Sequence, residues 1–308
     1  MAKRILNMTA EELTHLTKEE LLMAVAGSEG RVLAGETIGI TVPLLTDVTN
    51  AEFAASMGAD LILLNMFDVK KPKIMALPPV DDMEVIREVK RLTGRMVGIN
   101  LEPVEGGTAP AQGEELWAMS EGRYATVENA VLAHEMGVDM IVLTGNPGNG
   151  VSNDAIAASL QAISAAAGDK IVLAAGKMHA SGVIEEGGEN IITRDDITQF
   201  AEAGADIILM PAPGTVPGIT TEYIRGLVSY AHSLGRLTIT SIGTSQEGAD
   251  VETIKRIALE CKMTGTDIHH IGDSGYVGMA LPENIMAYGV AIRGIRHTYH
   301  RMAQSIVR

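Results

Sequence analysis

The residues best equipped for chemistry in this 308-residue chain stand at the ends of short apolar runs. Lys177 closes Ile171-Val172-Leu173-Ala174-Ala175-Gly176, and His179 follows two positions later, on the same side if extended geometry continues. An ammonium at the mouth of an apolar core is partly desolvated, which lowers a lysine pKa toward a useful range. Such a lysine can form a Schiff base with a carbonyl substrate, act as a general base, or hold a phosphate or an acidic neighbour. Glu36, Glu102, His179, His269 or His270, and Asp273 form a second constellation. Carboxylates and imidazoles converging from separate segments can bind a divalent ion, with oxygen-rich ligation favouring magnesium or manganese and more histidine favouring zinc. No ligand-spacing motif of the His-x-x-x-His kind marks a metal site, and without a metal the same groups supply acid and base catalysis. His269 and His270 are adjacent, so on a strand at most one of them faces the interior.

Further polar residues end other runs: Asn65, Asn100, Thr144 and Asn146. Three glycine-rich stretches lead into helix-like segments, the first spanning residues 144–150, the second 243–248 with Gly243 and Thr244, and the third 272–278 with Gly272, Asp273, Ser274 and Gly275. Glycine lets backbone N–H groups approach an anion closely, and a helix start adds a favourable dipole. Tight turns alone would use the same glycines. No Walker sequence is present and no Gly-x-Gly-x-x-Gly opens a helix near the first strand, so a nucleotide fingerprint is lacking.

These positions acquire meaning from the elements that carry them. Four times a helix-like segment ends in Gly-x-Asp before a short apolar run, at Gly58-Ala59-Asp60, Gly137-Val138-Asp139, Gly204-Ala205-Asp206 and Gly265-Thr266-Asp267; Gly94-Arg95, Gly168-Asp169 and Gly235-Arg236 fall between them. Glycine past a helix end adopts the left-handed conformation at little cost. The pattern predicts strands over 31–36, 61–66, 96–102, 140–145, 170–177, 206–211, 237–243 and 267–272. Helices are predicted over 50–57, 81–93, 126–136, 153–167, 194–203, 221–234, 250–264 and 283–302. Eight near-continuous apolar strands, each followed by a helix, imply an all-parallel sheet covered by helices, and a (β/α)8 TIM barrel is its natural closure; a doubly wound open sheet shares the same local pattern. On that fold the chemistry belongs where strands end, and the loops after the seventh and eighth strands are a frequent phosphate site. The Gly-x-Asp and Gly-Arg turns then lie at the opposite end and read as architectural.

Residues 1–30 precede the barrel as a short helical extension, with residues 31–308 forming the barrel itself. Thr9 with Glu12 and Thr17 with Glu20 have capping-box spacing, which predicts two short helices covering the barrel bottom. Lys3 and Arg4 lead into glutamates rather than an apolar run, so no signal peptide is expected, and no stretch reaches membrane-spanning length. A formal charge of -15 argues against nucleic acid as a partner. The single cysteine, Cys261, sits on an apolar helix face and reads as a buried structural thiol in a reducing, cytoplasmic setting. The basic run Arg293, Arg296, His297, His300 and Arg301 reads as a solvated face or a subunit contact in a homo-oligomer. Residues 103–124, with the only tryptophan, Trp117, and residues 180–193 have the length of loops that close over substrate, or of ordinary surface insertions.

The runs at residues 58–68, 144–148 (Thr144-Gly145-Asn146-Pro147-Gly148), 175–179 (Ala175-Gly176-Lys177-Met178-His179), 211–218 and 269–273 resemble an uncharacterised bacterial family whose members are often labelled phosphonomutase-like or haloacid-dehalogenase-like. The similarity covers nearly the whole chain. It implies a barrel and leaves the reaction open. The chain lacks the Lys-Lys-Cys-Gly-His run of phosphoenolpyruvate mutases and isocitrate lyases, and an Asp-x-Asp nucleophile near its start.

The expectation is an enzyme acting on a small anionic, phosphorylated carbon metabolite by lyase, aldolase or isomerase chemistry. Lys177 and one of Glu36 or Glu102 would transfer protons or activate a carbonyl. His179 and His270 would orient or polarise substrate, Asn65, Asn100 and Asn146 would contact it, and the loops around Gly243 and Gly275 would hold its phosphate. A divalent ion such as magnesium or manganese, held among Glu36, Glu102, His179, His270 and Asp273, would instead make a hydrolase. A non-catalytic sensor or scaffold barrel binding a metabolite is the third reading.

Overall fold

The computed structural model describes residues 3–104, 119–145, 150–180 and 183–308. Within them a closed barrel of eight parallel strands runs in sequence order: β1 (Val32–Ile38), β2 (Leu61–Asn65), β3 (Met96–Leu101), β4 (Met140–Leu143), β5 (Val172–Gly176), β6 (Ile207–Pro211), β7 (Leu237–Ile242) and β8 (Ile268–Ile271), with β8 pairing back onto β1. This closure excludes the open-sheet alternative. Two short helices come first, α1 (Ala10–Thr14) and α2 (Lys18–Gly27), and eight follow the strands: α3 (Asn50–Ser56), α4 (Val85–Thr93), α5 (Val127–Met136), α6 (Asn153–Ala167), α7 (Arg194–Ala203), α8 (Thr221–Ser233), α9 (Val251–Thr264) and α10 (Pro282–Ala303). Thr9 and Thr17 form the capping boxes their spacing predicts. Gly94, Gly137, Gly204 and Gly265 cap their helices at positive φ, whereas Gly168 keeps a helical φ of -66°.

Strand alternation sorts the side chains into two cores. Val32, Ala34, Leu61, Leu63, Met96, Met140, Val142, Val172, Ala174, Ile207, Leu209, Ile239 and Ile268 fill the barrel interior, where they meet Ile5, Leu13, Leu21 and Val25 of the N-terminal segment. That segment therefore plugs the bottom. The residues of opposite parity, among them Leu33, Ile62, Leu64, Val97, Ile99, Ile141, Leu173 and Ile208, pack outward against the helices, as does the fully buried Cys261.

At the bottom each Gly-x-Asp carboxylate has a defined partner. Asp60 accepts from the Leu33 N–H, Asp139 from Val97, Asp206 from Leu173 and Asp267 from Thr238, at 2.8 to 2.9 Å. Every one of these aspartates also meets a basic side chain from a helix: Asp60 meets Arg293 and Arg301 of α10, Asp139 meets Lys90 of α4, Asp206 meets Lys18 of α2, and Asp267 meets His232 of α8. The basic C-terminal run is therefore divided rather than uniformly solvated. Arg296 and His300 are exposed, but Arg293 and Arg301 are buried on either side of a break in α10 at Gly294, because a fully buried aspartate needs counter-charge. Burial alone would raise the Asp60 carboxyl, but Arg293 and Arg301, the Leu33 N–H and then Arg95 outweigh it and hold it below its ordinary 3.8.

Replacing Asp60 by alanine leaves Arg293 and Arg301 buried without a counter-charge, a loss of about 3–5 kcal/mol. A urea midpoint lowered accordingly at pH 7 is the expected result. Because the folded-state value is depressed, the carboxylate's contribution is present above 3.8 and is lost as pH falls, so the gap between wild type and variant should narrow in acid.

Candidate active site

Inward parity continues past the apolar layers and ends six of the eight strands in a polar group. Val32 and Ala34 lead to Glu36, Leu61 and Leu63 to Asn65, Met96 and Gly98 to Asn100 and Glu102, Met140 and Val142 to Thr144, Ile239 to Ser241, and Ile268 to His270. A cavity of about 310 Å³ opens above them. Its wall includes Glu36, Asn65, Asn100, Glu102, Thr144, His179, Glu247 and Asp273, together with Arg123, Met178 and Gly243.

A hydrogen-bonded chain crosses this wall. Asn100 Nδ2 donates to Glu36 Oε1 at 2.7 Å and lies 3.3 Å from Asn65 Oδ1; Asn65 Nδ2 donates to Asp273 Oδ2 at 2.7 Å. Behind Glu36, His270 places Nε2 at 3.4 Å from Glu36 Oε2, and its Nδ1 meets Ser241 Oγ at 2.5 Å. His270 and Ser241 are buried outside the cavity wall and position Glu36 from behind. His269 faces outward, against Tyr288 and the Gly30 carbonyl, as the alternation requires. Burial pushes its pKa down to about 4.

Burial raises three of the cavity carboxyls. Burial, reinforced by the charges of Glu36 and Glu247, pushes Asp273 up to about 7, against hydrogen bonds from Asn65 and the Gly275 N–H. Glu247 is also raised, first by burial and then by Glu36, and its Oε2 is buried with no hydrogen-bond partner among the described residues. Burial raises Glu102 too, although Arg123 donates to its Oε1. His179 is lowered by burial and then by Lys177, which favours the neutral imidazole. Met66, Ser245 and Ser274, at or beside this cavity, have positive φ of 58°, 71° and 57°, a strained setting for residues other than glycine and one that clusters at functional sites.

Several expectations change. Lys177 is buried at the end of β5 but is not on the cavity wall; the inward parity runs Val172, Ala174, Gly176 and then Met178, which takes the wall position. The phosphate cradle expected from the β7 and β8 loops is filled by the protein itself. The Ser274 N–H donates to Glu247 Oε1 and the Gly275 N–H to Asp273 Oδ1. Gly243 makes room for Met178, whose sulfur occupies the space a Cβ would need, and Gly272 makes room for the Ile242 carbonyl and the Glu247 carboxyl. Thr244 Oγ1 bonds the Thr215 carbonyl and the Gln246 side-chain amide rather than facing the cavity. Asn146, Gly106, Gly107, Pro110, Gly113 and Trp117 lie outside the described residues. Among the described residues no three His, Cys, Asp or Glu side chains gather as a metal-ligand set, although Glu36, Glu102, His179 and Asp273 share the cavity wall. Glu247, Arg123 and Ser241 are the site residues that the sequence pattern alone does not single out. Ser241 is accessible from β7 parity, whereas Glu247 and Arg123 come from loops with no periodic signal.

Fold and cavity together define a (β/α)8 barrel protein with a carboxyl-rich pocket at the C-terminal ends of its strands. The chain belongs to the family described as "Domain of unknown function (DUF7916)", whose sequence pattern matches residues 6–308. None of the curated proteins compared with it matches. Among solved structures, the carboxyl transferase domain (Y628A) of Rhizobium etli pyruvate carboxylase, solved with pyruvate, shares 12% identity and a TM-score of 0.55 over 96% of this chain and 53% of that one. Orotidine 5'-phosphate decarboxylase from Pyrococcus horikoshii shares 16% identity over 86% of this chain and 100% of its own, with a TM-score of 0.49. A Burkholderia cenocepacia protein provisionally described as a lyase/mutase shares 18% identity over 85% and 82%, also at 0.49. At such identities the likeness concerns the fold alone. Among the described residues no helix is long and apolar enough to cross a membrane.

The raised Asp273 carboxyl has a measurable consequence. The folded state holds that proton while the unfolded state loses it near 3.8, so Asp273 destabilises the protein progressively as pH rises from about 4 to about 7. Urea unfolding of wild type and Asp273→Asn across this range should show wild type losing ground to the variant up to about 7 and no further change above it. A difference independent of pH would mean that Asp273 titrates normally.

Proposed function

We propose that this chain is an enzyme of lyase, aldolase or isomerase type that moves a proton beside a carbonyl group of a small anionic metabolite. The observation that carries this reading is one cavity holding Glu36 and Asp273, linked through Asn100 and Asn65, with Asp273 raised to about 7. Carboxyl groups in unlike environments divide the work of base and acid. Glu36 takes the proton from carbon, and protonated Asp273 hydrogen-bonds the carbonyl oxygen as negative charge develops there. Asn65 and Asn100 fix the two groups relative to each other. Neutral His179 accepts a hydrogen bond from a substrate hydroxyl or relays its proton.

Among the described residues Arg123 brings a cationic side chain to the wall, on the Glu102 side. The substrate's anionic group therefore belongs on that side, away from Glu247 and Asp273. A singly charged carboxylate suits a wall carrying Glu36, Glu102 and Glu247 better than a dianionic phosphate, since like charges at close range repel. A 2-oxo acid, with its carboxylate beside its carbonyl, meets both requirements.

Proton transfer is read directly by deuterium exchange at C3 of 2-oxobutanoate and its phosphorylated or hydroxylated analogues in D2O, followed by proton NMR. Enzyme-dependent exchange should fall by about 10²- to 10⁴-fold in Glu36→Gln, the usual contribution of a positioned base. The wild-type rate should decline above about pH 7 as Asp273 loses its proton, and Asp273→Asn should remove that decline. Exchange no faster than in buffer across the panel, or undiminished in Glu36→Gln, would refute the reading.

A further inference from the structure

Beside the polar cavity lies a second one of about 410 Å³, lined by Ala180, Val183, Ile184, Ile191, Val216 and Pro217, with His179 and Thr244 at its polar edge. His179 belongs to the walls of both. The second cavity therefore adjoins the first across a single imidazole, and it is as apolar as the first is charged. Ile191, Ala180 and Val216 back onto the helix-facing core, whereas Val183 and Ile184 lie outside it. Ile191 is buried, but Val183 and Val216 are only partly so and Ile184 is 89% exposed. An aliphatic wall left partly open beside a carboxyl-lined site is suited to covering apolar ligand surface.

We propose that this second cavity is a specificity subsite that takes an aliphatic chain of the substrate, so that the enzyme acts on 2-oxo acids bearing such a chain rather than on the shortest ones. The inference rests on the proton-transfer reading for the polar end of the substrate. With the carbonyl between Glu36 and Asp273 and the carboxylate toward Arg123, a chain leaving past His179 enters the apolar cavity. Val216 and Ile184 then contact it directly, and desolvation of their surface supplies chain-length preference.

Calorimetric titration with two probe series tests this. One runs from 2-oxobutanoate to 2-oxooctanoate; the other, without a polar head, runs from 1-butanol to 1-octanol. In wild type each added methylene should tighten binding by up to about fourfold in both series. Val216→Asp and Ile184→Asp should flatten both dependences, weakening 2-oxooctanoate far more than 2-oxobutanoate; exposed Ile184 makes the second variant safe for folding. Affinities independent of chain length in wild type, or a dependence that survives both substitutions, would overturn the subsite. Failure of the proton-transfer reading looks different: 2-oxobutanoate neither binds nor exchanges its C3 protons, yet the alkanol series still reads the apolar cavity.

Discussion

The structure depends on a hydrogen bond repeated four times at the bottom of the barrel, from an N–H near the start of each odd-numbered strand to the aspartate that precedes the next strand. Leu33, Val97, Leu173 and Thr238 donate to Asp60, Asp139, Asp206 and Asp267. For the first three pairs the aspartate N–H returns a bond to the carbonyl of the same residue, making the first rung of the ladder. An N–H at the mouth of a strand is costly to leave buried and unmade. Supplying an acceptor at one place only makes one register far better than its neighbours. Because side chains alternate faces, a slip by one residue would turn Ile62 and Leu64 inward and Asn65 outward.

The same aspartates bind the helix layer to the sheet. Their basic partners arrive from α10, α4, α2 and α8, so the helices' placement and the strands' register are decided at shared points. Such pairs add little net stability, but an alternative packing that parted Asp60 from Arg293 and Arg301 would strand buried charge. What they guarantee at the far end is that Glu36, Asn65, Asn100 and Asp273 arrive within hydrogen-bonding reach.

Asp60 and Asp273 are opposite cases, although burial raises Asp139 at the bottom too, against the pull of Lys90. At the bottom, Asp60 meets arginines and is held ionised. At the top, Asp273 and Glu247 meet other carboxyls in a buried setting and are raised. Carboxyls left in mutual repulsion cost stability, a cost compatible with the proton-transfer role proposed for them. The left-handed backbone at Met66 and Ser274 beside them points the same way.

Much of this was legible from the chain itself. Apolar runs bounded by glycine specified the strands and helices to within a few residues, because backbone propensity and alternation act locally. The positions of Glu36, Asn65, Asn100, Glu102, His179 and Asp273 at strand ends followed from the same pattern, as did the outward turn of His269. Tertiary structure alone decided the rest. Whether Lys177 or Met178 faces the cavity depends on how the chain leaves β5 at Gly176, and whether the loop N–H groups of Ser274 and Gly275 await a phosphate depends on carboxyls arriving from elsewhere. Arg293 and Arg301 look like surface charges until Asp60, more than two hundred residues away in sequence, is folded against them. Local pattern assigns a residue to an element, but hydrogen-bond partners and electrostatic surroundings are properties of the closed barrel, where distant segments share one desolvated space.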